Sequence, residues 1–150
     1  MIFVLVAAQT LRAGRLGPID LASGRYAYVG SARGPGGLRA RLARHLRQEK
    51  RLHWHVDYLT QCVAISAVYW AVAVEPLECR WAQALLRLPG AVLGPAGFGS
   101  SDCQAGCRSH LIRLPDSVDD EALPARLQAA LPVSSRLIGE WRREERQIET

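Results

Sequence analysis

At 150 residues, 49% hydrophobic and 22% charged, the chain is long enough to bury one core and too apolar to remain disordered. Its net charge of +5 is concentrated: between Arg33 and Arg51 seven basic residues face Glu49 alone, while the remainder nearly balances. No run approaches the ~20 apolar residues of a bilayer-spanning helix, and Ile2 to Ala8 lack the basic lead of a signal peptide, so the expected compartment is the cytoplasm.

The dense β-type run at residues 2–9 predicts a first strand. Arg12 to Leu21, with Gly14 and the Gly17-Pro18 turn, predicts a short hairpin leading away from it. Arg25 to Val29 is the next strand, and the four glycines and one proline of residues 30–37 make a loop. From Gly37 the period changes. Leu38, Leu42 and Leu46 recur every four residues, the stripe of an amphipathic helix running to about Lys50. A short helical piece spans His53 to Gln61, and Val63 to Val74 reads as a buried strand. Pro76 opens a helix with the body LECRWAQALLRL, stopped by Pro89-Gly90. GPAGFGSSD at 94–102 is a glycine-rich loop, SHLIRL at 109–114 alternates as a last strand, and from Asp116 two amphipathic helical stretches are split by Pro132. The order β, β, α, β, α, β predicts a small α/β or α+β sheet covered by helices.

Clustered cations release condensed counterions on meeting nucleic acid, so the basic segment points to a phosphate-facing surface. A solvated helix face is the alternative. Eighteen of the nineteen basic residues are arginine, so position carries more weight than count. Arg41 and His45, four residues apart, share a helix face bordering the leucine stripe. Tyr26 and Tyr28 alternate with Ala27 and point to one side of the sheet. The intervening GSARGPGG lets the backbone pass close to another body, so phenol, guanidinium and imidazole can converge on one cleft.

YVG at 28–30, Gly37-Leu38, Arg41 and His45 on a helix, and Glu78 in the next large helix together resemble the GIY-YIG nuclease superfamily. GRYAYVGSARGPGGLRARLARHL, LHWHVDYL, LECRWAQAL and GFGSSDC with the later SHL resemble its DUF123-type branch over residues 2–114. The resemblance implies a GIY-YIG-like domain at residues 1–115, a small, mainly antiparallel sheet flanked by helices, with residues 116–150 as a helical extension packed on it. It implies a single-metal phosphodiesterase acting on nucleic acid, with DNA the expected partner. Tyr28 would orient or deprotonate the attacking water, Arg41 would stabilise charge on the phosphate, and Glu78 would hold one Mg²⁺ or Mn²⁺. Magnesium keeps several waters, so one glutamate can suffice. A phenol of pKa near ~10 needs nearby cations to favour phenolate, which Arg41 and a metal would supply. His45 would be a phosphate ligand or proton carrier. Arg33, Arg39, Arg44, Arg47, Lys50, Arg51 and His55 complete the expected nucleic-acid surface, with His55 or Asp57 bordering the cleft.

The sequence departs from the superfamily pattern in three ways. Phe3 stands where a first-motif phenol is expected, leaving Tyr26 as stand-in. The Arg12 to Leu21 insertion lengthens the spacing to Tyr28. The chain contains no asparagine, so Ser100, Ser101 or Asp102 would take the place of a late asparagine. A non-catalytic nucleic-acid-binding module on the same fold is the alternative function. The HWH segment at 53–55 and Cys103 and Cys107 with His110 invite a zinc reading, but no second clean ligand pair accompanies them, which argues against structural zinc. Small buried hydrophobes or a reversible redox pair are the other readings of the two cysteines.

Overall fold

Ile2 to Leu5 is apolar at every position because the strand that contains it is buried on both faces. In the computed structural model, which describes residues 1–143, this strand is β1 (Ile2–Arg12). Its neighbours are β2 (Pro18–Val29) and β3 (Ile65–Ala71), with β4 (Val92–Leu93), β5 (Leu111–Arg113) and β6 (Leu137–Arg142) outside them. The order is β4-β5-β2-β1-β3-β6 and every neighbouring pair is antiparallel.

Side-chain alternation divides the core in two. On one face Phe3, Leu5, Tyr26, Tyr28 and Leu111 pack under α1 (Gly37–Leu46) and α2 (His55–Cys62). On the other, Ile2, Val4, Val29, Tyr69 and Ile112 pack under α3 (Glu78–Leu86) and α4 (Ala122–Ala129). The result is a three-layer α+β fold with helices on both sides of an antiparallel sheet. No described helix is long and apolar enough to cross a membrane.

Four local expectations change. The Arg12 to Leu21 hairpin does not lead away from the sheet. It extends β1 and β2, with Thr10 opposite Asp20 and Leu11 opposite Ile19 around a 3-10 turn at Gly14–Leu16. The first helix stops at Leu46 and not near Lys50. Arg47 is extended, and Lys50 turns back to donate from Nζ to the His45 carbonyl at 2.7 Å, a cation on an orphan C-terminal carbonyl. The buried strand expected over Val63 to Val74 is confined to β3. The second tail helix is in its described part a strand, β6, paired with β3. Gly139 faces Trp70 there, and a Cβ at that position would stand 2.4 Å from the indole, so the residue that weakens a helix lets an aromatic lie flat on the strand. The C-terminal extension is therefore half helix, half sheet edge. Residues 144–150 of the expected helix fall outside the described residues.

Candidate functional site

Where β2 ends, a cleft of about 170 Å³ opens between the two layers of helices. Tyr28 supplies one wall from β2, Arg41 and His45 descend from α1, and Glu78 enters from the first turn of α3. Trp54, Asp102 and His110 close the remaining sides. Four residues named from sequence, on three separate elements, therefore meet around one opening. Glu78 is half-buried and has neither a hydrogen bond nor an ion pair among the described residues, so its carboxylate is uncommitted. Asp102 is exposed and is the one of Ser100, Ser101 and Asp102 that lines the cleft.

Tyr28 is locked by its surroundings. Phe3, its cross-strand partner, stacks at 6.4 Å between ring centroids, and Phe98 meets it edge-on at 6.0 Å. Gly99 has φ +70°, and a Cβ there would lie 2.5 Å from the Tyr28 ring. Gly99→Ala is expected to lose about 1–3 kcal/mol from backbone strain alone. Urea denaturation reads that cost, and a loss below about 0.5 kcal/mol would mean that the loop does not clamp the ring. Burial, reinforced by Asp57, Glu78 and Asp102, pushes the Tyr28 phenol above its ordinary pKa, and Arg41 opposes this without prevailing. Arg41 alone therefore does not supply the expected bias toward phenolate.

Asp57 organises the cleft from below. Its carboxylate is fully buried and receives both guanidinium nitrogens of Arg44, at 2.8 and 2.9 Å. The backbone N–H groups of His53 and Trp54 donate to it at 3.0 and 2.9 Å, which caps the start of α2. His45 Nδ1 lies at 3.4 Å and Lys50 Nζ at 3.9 Å. Burial alone would raise this carboxyl, but the adjacent His45 ring and the hydrogen bonds from Arg44, Trp54 and His53 outweigh it and hold the pKa far below the carboxylate range. Burial lowers the His45 pKa against the pull of Asp57, so the ring is neutral near pH 7, with Nδ1 turned to the carboxylate. Trp54 lies against two guanidiniums, with Arg41 at 4.3 Å and Arg44 at 4.2 Å from the ring centroid.

Several expected contact residues are engaged internally. Tyr26 donates its hydroxyl to the Ala22 carbonyl at 2.7 Å and does not line the cleft, so it does not stand in for the phenol missing at Phe3. Phe3 itself is fully buried, 5.1 Å from the His45 ring. Arg44 is held by Asp57 and by the Arg51 carbonyl at 2.8 Å, and the Lys50 side chain is 4% exposed, so neither is a free phosphate contact. His55 accepts the Gly99 N–H on Nδ1 at 3.0 Å and thereby ties α2 to the loop over Tyr28. Arg39, Arg47 and Arg51 are exposed as expected of a polyanion surface. Arg33 borders the cleft, and its guanidinium donates to the Ala73 and Val74 carbonyls.

Behind the carboxylates lies a group that the sequence reading completed only in part. Cys79 on α3 joins Cys103, Cys107 and His110, with one ligand atom from each within 4.8 Å of all the others. Cys79 Sγ is 3.3 Å from Cys103 Sγ and 3.8 Å from His110 Nε2. Burial and the two neighbouring thiols push the Cys79 thiol up to about 12. This group weighs against the expectation that structural zinc is absent: the fourth candidate ligand comes singly, from a helix distant in sequence, and not as part of a second pair.

The fold thus places a group of three thiols and an imidazole, close enough together to hold one metal ion, beside the cleft that Glu78 and Asp102 line. No curated protein and no solved structure matches this chain. A family model described as a domain of unknown function, DUF123, matches residues 1–131, which include every cleft residue and all four members of the cysteine-histidine group, and the chain belongs to that family.

Proposed function

We propose that this chain is a divalent-metal-dependent endonuclease of GIY-YIG type that hydrolyses phosphodiester bonds in DNA. The observation that supports this best is the convergence of Tyr28, Arg41, His45 and the uncommitted Glu78 on one cleft. Glu78 and Asp102 offer the hard oxygen donors that Mg²⁺ or Mn²⁺ takes together with water, so the lining fits such an ion. When bound, the ion polarises a phosphate oxygen and makes a coordinated water more acidic. Arg41, oriented by Trp54, presents a rigid fork to the phosphate as charge builds on its oxygens. Tyr28 keeps its proton and orients the incoming water or the scissile oxygen as a donor. His45 is neutral, and with Nδ1 3.4 Å from Asp57 its other nitrogen can take a proton while the buried carboxylate stabilises the imidazolium. Arg39, Arg47 and Arg51 extend the phosphate track along the outer face of α1 and past its end.

The test is incubation of purified protein with linear and branched DNA, with and without Mg²⁺ or Mn²⁺. Cleavage that requires the divalent ion is the expected result. Tight binding with no cutting under any metal would replace this reading with the binding module, which Phe3 in place of a phenol favours. In either case Arg39→Ala, Arg47→Ala and Arg51→Ala combined should flatten the dependence of log affinity on log salt by about one per lost phosphate contact. An unchanged slope would place the polyanion elsewhere.

A further inference from the structure

We infer that Cys79, Cys103, Cys107 and His110 hold one structural zinc ion, and that this centre is the wall that fixes Glu78 and Asp102 in the cleft. Tetrahedral zinc with Zn–S near ~2.3 Å and Zn–N near ~2.0 Å sets its ligand atoms roughly 3.5–3.8 Å apart. The observed S–S separation of 3.3 Å and S–N separation of 3.8 Å lie within about 0.5 Å of those values, and with all four atoms inside 4.8 Å small side-chain adjustments bring them around a single ion. An iron–sulfur cluster inserts several atoms between its thiolates and needs a wider set. Three thiolates select zinc over the hard cations suited to the cleft, and four protein ligands fill a tetrahedral site with no open position, so the ion is structural.

The ligands sit at positions that give the centre a role. Cys79 follows Glu78 directly and Cys103 follows Asp102 directly, so each anchored sulfur fixes the backbone of a cleft carboxylate. His110 is both a ligand candidate and a cleft-lining residue. The loop from Gly94 to His110 has little regular structure, and its glycine-rich half must bend close over Tyr28. Three of the four ligands lie in its second half, so one ion pins that loop to α3. The wall role rests on the cleft reading above, whereas zinc binding does not.

Zinc analysis of full-length protein purified without added metal tests the centre. One equivalent per chain is expected, and cobalt substitution should give thiolate-to-metal charge transfer with the intense visible absorption of a tetrahedral site. Zinc should be lost in Cys107→Ser, kept in Cys107→His, and kept in Cys62→Ser, a cysteine outside the group. Absence of zinc together with failure of the reduced protein to take up zinc or cobalt would overturn the centre, as would a Cys79–Cys103 disulfide in its place. For the wall, Mn²⁺ binding followed by electron paramagnetic resonance should weaken about tenfold or more in folded Cys107→Ser, and Cys107→His should restore it. Equal Mn²⁺ affinity with and without zinc, or no Mn²⁺ binding at all, would overturn the wall role. A protein that holds zinc and cuts nothing would overturn the nuclease reading and leave the centre standing.

Discussion

Asp57→Ala is expected to lower stability by about 3–5 kcal/mol, because it strips a buried carboxylate from the cations and backbone donors gathered around it. For a chain of this size that corresponds to a fall of roughly 10 °C in melting temperature. The loss has two parts. Arg44, Lys50 and the capped N–H groups of α2 lose their acceptor, and the corner joining α1 to α2 loses the group that closes it. Asp57→Asn keeps the shape and one acceptor oxygen, so it should cost less. The folded carboxyl lies far below its unfolded value, so its contribution is complete at neutral pH and disappears as acid protonates it. The stability difference between wild type and Asp57→Asn should therefore be widest near pH 7 and shrink progressively below about pH 5. Thermal melts at several pH values read both effects. A variant melting within about 2 °C of wild type at pH 7 would show that the corner is held by packing alone.

Local patterns carried much of this architecture. Continuous hydrophobicity at Ile2 to Leu5, the leucine stripe of α1 and the glycine punctuation after Val29 each reflect a period or a backbone constraint that neighbouring residues state directly. The convergence of Tyr28, Arg41 and His45 was legible because strand alternation and helical spacing fix side-chain directions before tertiary structure is known, whereas Glu78 joined them only through the resemblance to the GIY-YIG superfamily. What stayed hidden depends on distant partners. Arg44 and Lys50 look like solvated cations until Asp57, thirteen residues from Arg44, draws both inward. The capping position of Asp57, three residues after Trp54, was readable, but its burial was not. Cys79 sits 24 residues before Cys103 with no second cysteine nearby, so a search for paired ligands passes over it. β6 reads as an amphipathic helix because Leu137, Glu140 and Trp141 fit either period. Only the open edge of β3 and the Trp70 ring over Gly139 decide for a strand.

Glu78→Gln should abolish cutting, by about three orders of magnitude, while sparing fold and DNA affinity. The substitution preserves volume and removes one charge from a side chain that makes no hydrogen bond or ion pair among the described residues. The expected stability cost is the lost interaction with the N-terminus of α3, about 0.3–1 kcal/mol. A structural carboxylate would behave in the opposite way, losing stability in proportion to the contacts it gave up. On the proposed reading the same change removes the chief charged donor for the divalent ion, and several kilocalories per mole of metal-derived stabilisation translate at about 1.4 kcal/mol per tenfold into a near-complete loss of rate. Glu78→Asp keeps the charge but withdraws it by one methylene, so it should cut measurably and shift its preference toward Mn²⁺, which accepts looser coordination. Single-turnover cleavage with saturating protein isolates the chemical step from binding, and the zinc content of each variant confirms that the neighbouring Cys79 is undisturbed. Cutting by Glu78→Gln within tenfold of wild type would show that the metal, if used, is held elsewhere. Weakened DNA binding with an unchanged rate at saturation would make Glu78 a positioning residue for substrate and not a metal ligand.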